Sequence, residues 1–504
     1  MSLFSVLSFL GSYLYAAFCC FAGLQLATPE RASARFVLFA AVLSLGLGPI
    51  MLSWLLTMTL GIAPGIGRGT CVVMVILELG CLAVAGLCRS ETRKSIGCVF
   101  RILLPHLFGW RRRDALAATG AAGLFVAVGA IMVVALTTPL AGNDALEYAA
   151  AGQRVYHAMS AHVYPFAGQN PDESFYGPWS HAMGFVGLYV WSFLIQGQAD
   201  TAGTAMLITP WFALCTALVL IHVMGGARRP LAAWCGLVVL CTPAYLFTTM
   251  QNHVDQLRLF CLLVAFVALD KTQREHSRYA CSMIAGMACA GGIFVHSIGW
   301  LVCLLVTAVA LLVVRGRLRT KASVCALIVI AGVVPNVGGV IGNLELFGSP
   351  IVDVGIVPLY EIPRLHWQAF LLETRGISSS LDRWWVGVLG GLTQLTIYGL
   401  AYWLFVAALF WRCWKVWSIC LAERGVGRII EFVTTLTYHR DGTLLIGVVA
   451  FEAAVVLSVI LGMDTFIKNY RYLLTTLPLV VLFGFRVVGP QFLVLWSQRS
   501  RSRW

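Results

Sequence analysis

The chain has 504 residues, 59% of them hydrophobic and 11% charged, with a formal net charge of +13. That much apolar surface cannot be hidden in a water-soluble fold, and apolar runs of about 20 residues read as membrane-spanning helices, which excludes soluble enzymes and soluble scaffolds. The positive charge does not mark a nucleic-acid binder, because no folded polar domain carries it.

In chain order, thirteen stretches are predicted to cross a bilayer: 3–27, 36–62, 69–88, 114–138, 201–224, 230–248, 256–270, 279–295, 298–314, 322–341, 385–411, 443–461 and 472–488. The first has neither a basic start nor a small-residue cleavage site, so it is expected to be a span and not a cleaved signal peptide. One further apolar stretch, 179–197, is read differently. If it crossed, Arg228-Arg229, the basic group Lys271, Arg274 and Arg278, and the group from Arg315 to Lys321 would all lie outside. Laid in the interface, it returns every basic loop to the cytoplasm, as the sorting of positive residues demands. Most of the 35 Lys and Arg then fall inside, and the larger share of the 22 Asp and Glu falls outside. Trp179-Ser180-His181 is also mixed aromatic and polar, as suits an interfacial helix. The N-terminus is thus expected outside and the basic tail Arg499-Ser500-Arg501-Ser502-Arg503 inside, in a multi-pass inner (plasma) membrane protein. The expected fold is all-α: about 13 transmembrane helices, with interfacial helices in the first long outer loop.

Two outer segments stand out, 139–200 and 342–384. The cytoplasmic stretches 89–113 and 412–442 are strongly basic, which suits anchoring against anionic lipid. The 16 cysteines lie in apolar runs or on basic loops, so they read as small apolar residues and not as a disulfide framework.

The chemistry-bearing residues cluster at the outer edge. Asp144-Ala145-Leu146-Glu147 has capping-box spacing with Asp144 as N-cap, and it also offers a carboxylate at the membrane surface to accept a proton from a hydroxyl. Tyr148 follows directly. Aromatic turns come next, with Tyr176 in Tyr176-Gly177-Pro178-Trp179 and His181 just beyond; such rings line sugar sites or anchor the interface. Asn252-His253-Val254-Asp255-Gln256-Leu257-Arg258 is read as a tight outer turn. Its Asp255 and Arg258 either pair at helical spacing or form a second polar wall. His296 sits where a short span turns back, as packing or as a ligand. Lys468, Tyr470 and Arg471 place two cations at the outer edge against the sorting rule. They either snorkel or neutralise a lipid-linked phosphate, for which Arg is well shaped. No histidine pair has zinc-site spacing, so no metal site is predicted; a divalent metal is the lesser alternative.

The Asp-x-x-Glu-Tyr edge, the Tyr164-Pro165-Phe166 turn, Asp255 at the next outer turn and the late Arg471-Tyr472-Leu473-Leu474 segment together resemble the GT-C superfamily of integral-membrane glycosyltransferases, over roughly 114–490. They look like the branch of protein O-mannosyltransferases and lipid A aminoarabinose transferases. The resemblance implies Asp144 as catalytic base and Asp255 as the acidic residue of the second outer loop. It implies Lys468 and Arg471 as cations facing the donor phosphate. Glu147, Tyr148, Tyr176, His181, His253, Arg258, His296 and Tyr470 would bind substrate. The family's acidic doublet is absent, since Glu147 comes three residues after Asp144. The implied division is three extra N-terminal helices and a basic loop (1–113), a catalytic core (114–341), a second outer loop (342–384) and C-terminal helices with the donor-phosphate segment (385–504).

The implied reaction moves one sugar from a polyprenyl-phosphate carrier to a glycan, lipid or protein acceptor at the outer face, with no cofactor. The alternatives are an O-antigen ligase-like ligase or polymerase of lipid-linked glycans, and a lipid-linked sugar flippase.

Overall fold

An apolar run can cross a membrane only if its backbone polar groups are satisfied internally, which a helix does by itself. The computed structural model describes residues 2–26, 33–90, 92–97, 115–138, 143–161, 183–224, 230–272, 278–296, 298–347, 395–419, 441–460 and 474–501, with isolated positions 99, 140, 432, 435 and 436. Among these residues there are helices and turns and no strand. The helices are α1 (Leu3–Leu26), α2 (Ala34–Ile62), α3 (Arg68–Leu87), α4 (Ala115–Thr137), α5 (Asn143–Ala158), α6 (Gly184–Gln196), α7 (Ile208–Val223), α8 (Ala232–Leu240), α9 (Pro243–Met250), α10 (Asp255–Lys271), α11 (Arg278–Val295), α12 (Ile298–Val313), α13 (Leu318–Val333), α14 (Val337–Phe347), α15 (Ala401–Ile419), α16 (Gly442–Ile460) and α17 (Leu477–Arg501).

The chain is an all-α multi-pass membrane protein. Among the described residues eight helices are long and apolar enough to cross a bilayer, and α8 with α9, bent by 67° at their break, make a ninth if they form one span. Pro243 explains the bend: it starts α9 without an N–H to give the turn before it. The thirteen stretches predicted from sequence exceed this number for concrete reasons. Helix α10 has 17 residues with Asp255, Arg258, Asp270 and Lys271 at its ends, and α12 has 16. Helix α16 is counted as apolar only over Gly442–Ala454, and 385–394 lies outside the described residues.

Helix α10 is the axis of the bundle. Every residue from Asp255 to Leu269 is buried. A Cβ on Gly46 of α2 would strike the Phe260 ring, Gly291 of α11 sits against Cys261, and Gly447 of α16 meets Phe266. Helix α2 is therefore part of the same core, although it belongs to the N-terminal stretch. At the far end of α10, Arg486 of α17 donates to Asp270 at 3.2 Å and to Asp441 at 3.3 Å. Breaking such a buried group costs far more than its formation contributes, so it fixes the arrangement of α10, α16 and α17.

Long-range contacts sort the helix ends into two faces. On one face Arg89 donates to the Gln25 and Leu26 carbonyls, Lys271 sits over the Phe39 ring, and Trp234 Nε1 donates to the Leu116 carbonyl. On the other face Gly65 N donates to the Met159 carbonyl, Trp54 Nε1 to the Pro335 carbonyl, and Thr209 Oγ1 to the Thr249 carbonyl. This is the alternation expected if 179–197 does not cross.

Helix α6 corrects one expectation. It was predicted to lie in the interface; instead every residue from Gly184 to Phe193 is buried among α1, α2, α5 and α11. The reason is its composition: a helix apolar on all sides has no wet face to show. The interfacial character belongs to α5, which buries Ala145, Tyr148, Ala151, Val155 and Tyr156 and exposes Leu146 and His157. Helix α6 reaches its place through glycine. Ser53 Oγ donates to the Gly184 carbonyl at 2.6 Å, and a Cβ on Gly187 would run into that same Ser53 Oγ. Gly187→Val is expected to destabilise by about 1–3 kcal/mol through overpacking. Thermal unfolding in detergent checks this, and an unchanged midpoint contradicts it.

Candidate functional site

The site is built on the turn between α9 and α10. Asn252 adopts φ 53°, a left-handed conformation that Asn tolerates better than most residues. Its side chain then fastens the turn. Nδ2 donates to Tyr189 Oη at 2.6 Å and to the Ala205 carbonyl at 3.0 Å, and Oδ1 accepts from Thr209 Oγ1 at 3.0 Å. Gln256 Nε2 donates to the Tyr245 carbonyl and to Thr248 Oγ1, tying α10 back to α9. Asn252, Tyr189, Thr209 and Gln256 were not singled out from sequence. Only the first left a signal, since Asn is the residue that tolerates a left-handed turn.

Asp255 opens α10, where the helix dipole favours a carboxylate. Its Oδ1 accepts from Arg258 at 2.7 Å, one turn on, and its Oδ2 lies 3.2 Å from His253 Nδ1. All three side chains are almost wholly buried. The Asp255–Arg258 pair at helical spacing, one of the two readings of the sequence, is therefore formed. His253 Nδ1 also lies 3.3 Å from the Asp255 backbone N–H. Nδ1 without a proton can accept that N–H, and Nδ1 carrying a proton can donate to the carboxylate, so the two contacts belong to two placements of the proton.

His296 follows α11. Its Nδ1 accepts from the Ile298 backbone N–H at 3.1 Å, which puts the proton of the neutral ring on Nε2. Gly292 faces Cys261 where α11 runs antiparallel to α10. One turn further, His296 comes to the level of Leu257 and Arg258. Phe294, two residues before His296, touches Gly184, and Gly184 is held by Ser53. Ser53 is nine residues before the end of α2, so about 13 Å of helix rises beyond this level. His253, Asp255, Arg258 and His296 are all buried.

A chain of rings brings α5 to the same place. Tyr148 is buried and packs edge-on against Phe185 at 4.8 Å. Phe185 packs edge-on against Tyr189 at 5.4 Å, and Tyr189 Oη accepts from Asn252. Tyr148, predicted as a substrate contact, is thus joined to the turn of His253, Asp255 and Arg258. Helix α5 starts at Asn143, two residues ahead of the register that an N-cap at Asp144 requires. Asp144 is accordingly in the first turn of α5, where a carboxylate still gains from the dipole. The side chains of Asp144 and Glu147 lie outside the described residues, as do Tyr176, His181, Lys468, Tyr470 and Arg471.

Among the described residues, no three of His, Cys, Asp and Glu converge as a metal site would need. Chemically the turn offers a guanidinium, an imidazole and a tethered carboxylate, a set suited to holding an anion and to moving a proton. Comparison with protein-family models, with curated proteins and with solved structures finds no match to this chain.

Proposed function

We propose that the protein is an integral-membrane glycosyltransferase of the GT-C kind, moving one sugar from a polyprenyl-phosphate carrier to an acceptor at the outer face of the plasma membrane. One observation carries this reading. The ring chain Tyr148–Phe185–Tyr189–Asn252 joins α5, whose first turn holds Asp144, to the buried turn of His253, Asp255 and Arg258. Two acidic segments far apart in sequence thereby share one end of the bundle, as a base and its supporting wall must.

In this reading Asp144 takes the proton of the acceptor hydroxyl, and Glu147 lies one turn along the same helix. Asp255 is held by Arg258 and His253, so it orients the wall and is not a free base. Lys468 and Arg471 neutralise the phosphate that leaves with the carrier, the charge that grows in the transition state. Tyr176, His181, His296 and Tyr470 complete the sugar and acceptor contacts. The thirteen-span topology, with the N-terminus outside, belongs to the same proposal.

A flippase for lipid-linked sugars is the second reading. It is favoured by polar groups buried within the bundle, namely Glu452 and the Arg486–Asp270–Asp441 group, because intramembrane ionisable residues mark transport paths by default. The test is reconstitution in liposomes with a polyprenyl-phosphate sugar and a soluble acceptor on one face only. Glycan transfer without net movement of the carrier supports the transferase; movement without transfer rejects it. In the same assay Arg471→Ala is expected to raise the donor KM at least about tenfold, the loss of one charge-assisted phosphate contact, with the acceptor KM little changed. Equal loss for both substrates contradicts the phosphate assignment.

A further inference from the structure

Away from this site, one carboxyl group is set deep in the bundle. Glu452 is ten residues into α16, so about 15 Å of helix separates it from the start of α16. Its Oε1 accepts from Thr476 Oγ1 at 2.6 Å and from Tyr402 Oη at 3.3 Å. Tyr402 Oη and Thr476 Oγ1 are themselves 3.0 Å apart, which closes a triangle between α15, α16 and the turn that starts α17. The other carboxyl oxygen, Oε2, is buried and makes no hydrogen bond. Neither does the buried Thr475 Oγ1, next to Thr476 in the same turn.

Among the described residues no Lys, Arg or His pairs with Glu452, and α16 itself carries no other charged side chain. From α15 the facing titratable group is Tyr402, with Tyr398 packed on it at 5.1 Å. From α17 the facing groups are hydroxyls, and Arg486 is engaged with Asp270 and Asp441. Helix α10 bears its charges at its two ends and meets α16 through Phe266.

The balance of effects is one-sided. An ionised carboxylate moved into such surroundings loses several kcal/mol of hydration even after relaxation. Two hydroxyl donors on one oxygen return only part of that loss, and the second oxygen has no donor. The neutral acid leaves at most one weakly satisfied hydroxyl. We propose that Glu452, with Tyr402, Thr475 and Thr476, forms an intramembrane proton-binding site that holds the carboxyl neutral and ties the start of α17 to α15 and α16. Loss of the proton would leave Oε2 as a buried charge with no donor, so the charged group must draw in water or a cation. The turn that carries Thr476, Leu474–Thr476, follows the segment of Lys468 and Arg471 in the chain. The inference stands whether the protein is a transferase or a flippase.

The test uses the full chain in detergent micelles with an apolar carbodiimide, which reacts with a protonated carboxyl and not with its anion. The acid protonates a carbodiimide nitrogen and its carboxylate adds to the central carbon. The resulting O-acylisourea rearranges to a stable N-acylurea with no leaving group. At neutral pH, peptide mass analysis is expected to find one adduct within Gly442–Ile460, and Glu452→Gln is expected to lower it at least about tenfold, as loss of the one acid in that stretch requires. Infrared spectroscopy gives a second readout free of reagent access: the carbonyl stretch of a protonated carboxyl, present in the parent protein and absent in Glu452→Gln. Presence of the band supports the proposal even where the reagent does not label, and absence of the band overturns it. Protection from labelling by sodium ions at fixed pH also overturns it, since the site would then be a metal-cation site.

Discussion

Asp144→Asn is expected to lower sugar transfer by about a hundred- to ten-thousand-fold, the range that a positioned general base supplies. The fold should survive. Asp144 is in the first turn of α5, and exchanging a charge for an amide at a helix start weakens the dipole interaction by about 0.3–1 kcal/mol. Asn is also well tolerated at a helix start. The buried face of α5 includes Tyr148, Ala151, Val155 and Tyr156. Turnover in liposomes and thermal unfolding, measured on the same preparation, separate the two effects. Near-normal turnover would leave Asp144 with a role in the helix start alone and would remove the base from the proposed mechanism.

Arg258→Met is expected to destabilise by about 3–5 kcal/mol, because it strands Asp255 as a buried charge. The double variant Asp255→Asn with Arg258→Met should recover most of that loss, since removing both charges removes the desolvation cost with them. Unfolding of the parent, the two single variants and the double variant gives the coupling directly. A coupling near zero would show that the 2.7 Å pair does not hold the turn. Recovery of stability without recovery of transfer would assign the pair a part in the wall of the site; recovery of both would make it structural.

Much of this protein is legible in its sequence because the signals are local. Apolar runs and the sorting of basic loops give an all-α membrane bundle with alternating helix ends, and the contacts on both faces agree with that alternation. The Asp255–Arg258 pair could be anticipated because three residues along a helix bring two side chains together wherever the helix lies. Helix α6 shows the limit. Its composition alone did not reveal that Gly184 and Gly187 let it sink against α2 beside Ser53. The same holds for the contact of Asn252 with Tyr189, 63 residues away, and for that of Tyr402 with Thr476, 74 residues away.

The sequence by itself determined that the chain folds in a membrane and that it does so as helices. Only the tertiary structure decided that α10 is the buried axis, that rings connect α5 to the turn before it, and that Glu452 meets two hydroxyls and, among the described residues, no cation. Periodicity reports on neighbours within a turn of helix, whereas packing between helices depends on shape across large separations in sequence, and a single chain carries no local signal for it.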